Sequence, residues 1–581
     1  MKKRFFTIIK NKFVRISLIF TLVLGIGIGV LSFTEDSRNF AIIKNLDIFY
    51  SMFRELNSYY VDKTDPEKLI KISMDKMLES LDPYTTYIPE SEMDDFKFMT
   101  TGEYGGIGSL ITKSGDYIVI SEPYEGFPAQ KTGLKAGDKI LEIDGKSMKD
   151  KSSSDVSDNL KGPQGTKFTV KVERFGQPKP LTFTITREKI SINPVPYYGM
   201  LDSETGIIML KNFTQGCSNE LQKSFIDLRD KQKAKQIILD LRGNPGGLLE
   251  EAIRIVNLFV PKGVDIVSTK GNVKEWDKVY RATEMPMDTI MPLVVLIDRG
   301  SASASEIVAG SLQDLDRAVV IGQRSFGKGL VQTTRNLSYN TKLKVTTAKY
   351  YIPSGRCIQA VDYKNRNEDG SVGEVADSLI SKFSTKKGRT VFDGGGVSPD
   401  IIVEQVKITN ITIAVVTQSV LFEFATKYYY ENPTIRTPEN FVITDDIYKQ
   451  FTDFAVAKPD LKYTSGTITK LNELIKTATR EGYYDEAKGD FEALSNALAL
   501  DKAKDLAKSR KQISLFLSDE ILKRYYYQKG AIKNSILTDD DIAEAKQVLA
   551  EKSKYSGLLD GTVLSHAGDK KMSKKGLQEN D

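Results

Sequence analysis

The stretch Gln236-Ile-Ile-Leu-Asp240-Leu-Arg-Gly-Asn-Pro-Gly246-Gly247 decides how this chain folds. Its first five residues form an apolar run ending in a carboxylate, the pattern of a strand buried on both faces. A turn of glycine and proline follows, and Leu248–Val260 then reads as a helix. Working outward, Gly206–Lys211 and Leu293–Asp298 repeat the unbroken apolar run, and Ala304–Leu315 repeats the helix. Strands alternating with helices make residues 191–405 an α/β layer domain.

The flanking regions differ in period. In 103–190, Phe168, Val170 and Val172 alternate with polar residues, as do Leu181, Phe183 and Ile185. That alternation predicts half-buried strands in a small, mostly-β module, with Gly176–Pro180 as a turn. Residues 34–102 are predicted helical. Apolar residues from Ile42 to Leu56 recur near a 3.6 period, and Asp65-Pro66 caps a second helix that runs to about Ser80. Residues 406–555 return to helix, with tyrosine clusters at 428–430 and 525–527 read as packing, and a helix start at Thr538–Asp541. Residues 556–581 are polar and read as a disordered tail. The insert around 361–393, rich in Lys, Asp and Gly, reads as a surface excursion. The expectation is a multidomain α+β chain, in keeping with a length of 581 residues at about 150 per domain.

Composition excludes whole classes of chemistry. The only histidine, His566, lies in the polar tail, so a Ser-His-Asp triad and a multi-histidine metal site are both improbable. Cys217 and Cys357 stand in no metal-binding spacing, and neither a metal nor another cofactor is expected. The net charge of +5 includes six cations among the first fifteen residues, which leaves the rest of the chain at −1. No nucleic-acid partner is indicated. Those cations precede eighteen uncharged residues, Ile16–Phe33, about 27 Å of helix at 1.5 Å per residue. Residues 1–33 thus read as an extracytoplasmic targeting segment, with the length of the run favouring an uncleaved membrane anchor over a cleaved signal peptide.

Three segments of the α/β domain carry possible chemistry. The Asp240–Gly247 turn leads into a helix N-terminus, where backbone N–H groups favour an anion. Ser301-Ala-Ser303-Ala-Ser305-Glu306 follows a buried strand and opens a helix, the placement of a nucleophile elbow; any of the three serines fits, and a serine there also serves as a cap. Gly322–Gly329 nearly spells a phosphate-binding loop, but Gly329 stands where the magnesium-binding Ser/Thr belongs. Lys328 is better read as an amine brought close to backbone. A lysine becomes a general base when burial lowers its pKa from about 10.4 toward 7–8, at a cost of roughly 3–5 kcal/mol. A serine paired with a buried lysine is the hydrolytic mechanism this composition permits.

Together the motifs resemble the carboxyl-terminal processing peptidases, or tail-specific proteases, over residues 37–405. The resemblance rests on LDPYTTYIPE (81–90), YGGIG (104–108), GLKAGDKILEIDG (133–145), LDLRGNPGGLL (239–249), SASASEIVAG (301–310), GQRSFGKGLVQ (322–332) and GGGVSPD (394–400). It implies Ser303 as nucleophile, Lys328 as general base and Gln332 orienting the amine. It implies an oxyanion hole from the backbone of Gly246 and Ala304, with Gly247 as a possible substitute for Gly246. The 103–190 module then resembles a PDZ domain, in which the backbone of Gly106, Ile107 and Gly108 would receive the carboxylate of a substrate's C-terminal tail and which would also gate the protease. The region 191–405 becomes the protease core. Residues 406–555 lie outside the resemblance and match none of its motifs; they read as a helical extension with three open roles, covering the site, docking an adaptor or building a homo-oligomer. The opposing reading is a catalytically silent PDZ scaffold, which the joint presence of serine, lysine and glutamine disfavours.

Overall fold

In the computed structural model of the protein, residues 38–366, 372–375 and 377–568 are described. The expected anchor over 1–33 lies outside them. No described helix is long and apolar enough to cross a membrane. The chain divides into two units, Met1–Tyr87 and Ile88–Asp581. In the first, residues 38–59 are helical and α1 spans Pro66–Glu79. The Asp65 side chain accepts from the Lys68 N–H at the start of α1, and Ser80 ends it.

In the second unit, a helix over Met93–Thr101 precedes the β module. Its strands β1 (Ser109–Ser114), β2 (Tyr117–Pro123), β3 (Lys139–Ile143), β4 (Lys167–Glu173) and β5 (Leu181–Thr186) follow one another across a single sheet. On β4 the alternation holds: Phe168, Val170 and Val172 are buried and Lys167, Thr169 and Glu173 exposed. They pack with Ile118, Ile120, Ile140 and Ile185. Strand β1 pairs only with β2, so its outer edge is open, and helix α2 (Ser153–Leu160) packs beside it.

The α/β domain is a six-stranded sheet in the order β6 (Tyr197–Met200), β7 (Thr205–Met209), β8 (Gln236–Asp240), β9 (Leu293–Ile297), β10 (Val319–Gly322), β12 (Ile401–Ile402). Only β6–β7 is antiparallel. A strand buried on both faces needs two covering layers. The first is local: α3 (Cys217–Ile226), α4 (Leu249–Asn257) and α5 (Ala304–Asp314) pack on Ile237, Leu239, Val295 and Val320. The second comes from the far end of the chain. Helices α7 (Asp540–Ala550) and α8 (Lys552–Asp560) place Ile542, Val548, Leu549, Leu558 and Leu559 on Ile207, Ile238, Val294 and Ile321. Between β10 and β12, strand β11 (Lys342–Tyr351) belongs to a separate antiparallel sheet.

Two expectations change. Residues 556–568 are not a disordered tail: Leu558 and Ala567 are buried, Ser565 Oγ donates to Asp400 Oδ1 (2.9 Å), and the Ile402 N–H donates to His566 Nδ1 (3.3 Å). This segment finishes an exposed sheet edge, a long-range use that polar composition conceals. The insert is only partly a surface excursion, because Arg389 is buried between Asp316 (2.7 Å) and Asp400 (2.6 Å). The 406–555 region contributes to two cores. Residues 411–531 form their own cluster around Phe424 on α6 (Val420–Glu431), Phe451, Ile513 and Leu517, whereas 540–560 complete the α/β sheet. Its tyrosines both pack and reach the β module: Phe175 stacks on Tyr430 at 5.9 Å, and Gln130 Nε2 donates to Tyr527 Oη (3.1 Å). Cys217 and Cys357 are free thiols.

Candidate active site

Parallel strands deliver their following loops to one edge of the sheet. Asp240 pairs in register with Leu296, and Ile297 with Gly322, so the segments after β8, β9 and β10 emerge together. They are the three stretches singled out in the sequence. Hydrogen bonds join them: Ser301 Oγ donates to Leu241 O (2.9 Å), the Ala302 N–H to Asn244 O (3.0 Å), and the Phe326 N–H to Ser301 O (3.0 Å).

The three serines separate by environment. Ser301 and Ser305 are fully buried, and Ser305 Oγ donates to Asn244 O (2.9 Å). Both hold the turn in place. Ser303 alone is partly exposed, and it sits at φ +56°, ψ −111°, where a side chain is strained. Gly246 lies against it. A Cβ at Gly246 would fall 2.6 Å from Ala302 O and 2.9 Å from the Ser303 Cβ, so the close approach admits glycine only.

The amides beside Ser303 differ in their commitments. The Ala304 N–H lies in the first turn of α5 and has no intrahelical acceptor. The Gly246 N–H, expected in the oxyanion hole, donates to Asn244 Oδ1 (2.9 Å). Gly247 pairs with Phe213 through its neighbours: Phe213 N–H to Gly246 O and Leu248 N–H to Phe213 O. Its own N–H therefore points away from that bridge.

Lys328 is half-buried as a residue, where the sequence reading calls for a buried lysine. Gln332, four residues on, donates through Nε2 to Thr346 Oγ1 (3.1 Å), so the oxygen is the other end of its carboxamide. The side chain that ties these pieces together is Glu306, quoted in the serine motif but given no role there. It is fully buried. One carboxylate oxygen accepts from Ser325 Oγ (2.5 Å) and the Gly327 N–H (2.7 Å), the other from the Ser303 N–H (2.7 Å) and the Lys328 N–H (2.9 Å). Burial raises its pKa to about 7 in spite of those donors. The available signal was the capping-box spacing, a serine followed three residues later by Glu. Tyr350 on β11, whose hydroxyl donates to Ser303 O (3.2 Å), gave none.

In the β module, Gly106 ends a strand, Glu103–Gly106, paired with Glu188–Ser191. Ile107 O and Gly108 O accept from the Ala129 and Tyr124 N–H groups (2.8 and 2.9 Å), which fixes the loop leading into open-edged β1. Gly108 adopts φ +68°, and a Cβ there would fall 2.4 Å from Phe127. Among the described residues no cluster of His, Cys, Asp and Glu is arranged to hold a metal ion.

Comparison with known proteins matches three family models. "Peptidase family S41" matches residues 204–365, "PDZ domain" matches 119–174, and "Probable PDZ-protease, C-terminal helical domain" matches 411–549. A carboxy-terminal-processing protease of Bartonella bacilliformis is 40% identical over 331 residues, 56% of this chain and 75% of that protein. A probable CtpA-like serine protease of Staphylococcus aureus is 34% identical over 322 residues, 55% of this chain and 64% of its own length. Among solved structures, the photosystem II D1 C-terminal processing protease is 30% identical, covering 61% of this chain and 92% of its own, with a TM-score of 0.34. The chain belongs to the carboxy-terminal-processing serine proteases of peptidase family S41 and carries their PDZ domain.

Proposed function

We propose that this protein is an endopeptidase that takes the C-terminal tails of exported proteins and cuts them through an acyl-enzyme on Ser303. The observation that carries this reading is the exposure of Ser303 alone, between two buried serines, on a strained turn hydrogen-bonded to the loop of Lys328. Ser303 Oγ attacks the scissile carbonyl and its proton passes to the Lys328 amine. Gln332 orients that amine through its carboxamide oxygen. The Ala304 amide meets the developing oxyanion, joined by Gly247, or by Gly246 once Asn244 releases it; one such donor is worth roughly 3–4 kcal/mol of barrier. The leaving amine collects the proton from Lys328, and water then hydrolyses the ester by the same route.

The tail is held as an added strand on the open edge of β1, its carboxylate against the amides of Gly106, Ile107 and Gly108. The basic, then apolar, N-terminus places the body of the chain on the outer side of a membrane. Ser303→Ala is expected to abolish cleavage of an unstructured peptide with an apolar, free C-terminus while leaving the thermal midpoint unchanged. Retained cleavage in that variant would remove Ser303 from the mechanism.

A further inference from the structure

A buried carboxylate with four donors is constrained by geometry before any titration is considered. Three of the donors to Glu306 are backbone N–H groups, which cannot turn into acceptors. The fourth, Ser325 Oγ, accepts from the Val397 N–H at 2.7 Å and donates its own proton to Glu306. The oxygen shared by Ser303 and Lys328 thus meets only fixed donors, whereas the other meets a hydroxyl that can turn its proton away. A proton on the first displaces the Ser303 or Lys328 N–H; a proton on the second requires Ser325 Oγ to give up its donation and accept instead. Either choice weakens the charge-assisted bonds that join the elbow of Ser303 to the loop of Lys328, which lie 25 residues apart in sequence.

We infer that ionised Glu306 is the positioning residue that sets Ser303 against Lys328, and that acid disables the enzyme by protonating Glu306 as well as the lysine. The inference rests on the Ser303–Lys328 reading and gives it a second ionisation. The carboxyl titrates near 7 because burial disfavours its charge, and the donors only partly offset this. The titratable groups near it are Tyr350, raised by burial first and by the Glu306 charge second, and Cys357, raised by burial first and by the Asp393 charge ahead of that of Glu306; Lys328 donates to it through its backbone N–H. Tyr350 and Cys357 are thus neutral across the range in which Glu306 titrates, so neither adds an ionisation there.

The sign of the linkage separates stability from activity. The folded-state value of about 7 lies above the ordinary 4.5, so the native state binds the proton more tightly than the unfolded chain. This group's contribution to stability is fully present below the ordinary value and is lost as pH rises through about 7. Acidification through that window favours the fold while it dismantles the catalytic junction.

The test is steady-state cleavage of a tail reporter peptide from about pH 5 to 10 by wild type, Glu306→Gln and Glu306→Asp, with thermal midpoints recorded alongside. In Glu306→Gln the amide's N–H₂ end confronts donors, so kcat should fall about 10²-fold, as for a misplacement near 1 Å, with KM changed by less than about three-fold. The ionisation near pH 7 should vanish from its kcat profile. Glu306→Asp, which keeps the charge but is one methylene shorter, should recover part of kcat and shift that ionisation. Wild-type kcat and an unaltered acid limb in Glu306→Gln would overturn the inference. If the glutamine variant does not fold, the same result in Glu306→Asp would overturn it. Ser303→Ala is run in parallel: cleavage there sinks the nucleophile assignment, whereas an inert Ser303→Ala beside a normal Glu306→Gln sinks only the role of Glu306.

Discussion

The two faces of the central sheet are covered in opposite ways. One face is packed by α3, α4 and α5, all contributed between Cys217 and Asp314 and interleaved with the strands they cover. The other is packed by α7 and α8, which arrive more than two hundred residues later. The near face carries the elbow of Ser303. The far face is tied to the same loops by Arg242, which bridges Asp240 (2.8 Å), Asp539 (2.9 Å) and Asp541 (2.7 Å). Arg242 lies in the glycine-rich turn itself, and Asp539 caps α7 by accepting from the Ile542 N–H. The C-terminal helices thus complete the α/β domain physically.

Breaking that bridge is expected to have the largest effect. Arg242→Ala leaves Asp240 and Asp541 buried without their cation, and should cost about 3–5 kcal/mol, measured by chemical denaturation. A cost under about 1 kcal/mol would mean that the far face is docked independently of the turn. Leu549→Ala removes a side chain buried between α7 and the sheet and should cost about 2–5 kcal/mol. If the far face is integral to the domain, cleavage activity and the folding signal will melt together in this variant. Ser305→Ala, on the near face, removes a buried donor to Asn244 O and should cost about 1–3 kcal/mol while keeping measurable cleavage. That outcome would set it apart from its neighbour Ser303 two residues away.

The contrast between the faces also explains what the sequence disclosed. Near-face elements alternate along the chain, so the apolar runs 236–240 and 293–298 and the helix from Ala304 were legible with their order. The far face was not, because nothing local to 540–560 says which sheet it covers; its helix start at Asp539 was readable, its destination was not. His566 and Ser565 look like tail residues for the same reason, since their partners on Asp400 and Ile402 are about 165 residues distant. Within the site, glycine spacing and the SASASE motif marked the loops that meet at one edge of the sheet. Which serine faces outward depends on backbone strain at Ser303 and on burial of its neighbours, neither of which a motif encodes. The four-way role of Glu306 also required the loops to be folded together before it could be seen.

The central claim is that Ser303 carries the acyl group and Lys328 takes its proton. Acid-quenched mass spectrometry of the enzyme mixed with an ester analogue of a tail peptide tests it directly. The account predicts one acyl adduct, mapped to Ser303, that forms rapidly in wild type and is absent from both Ser303→Ala and Lys328→Ala. An adduct on any other residue, or product released by Ser303→Ala, would contradict it.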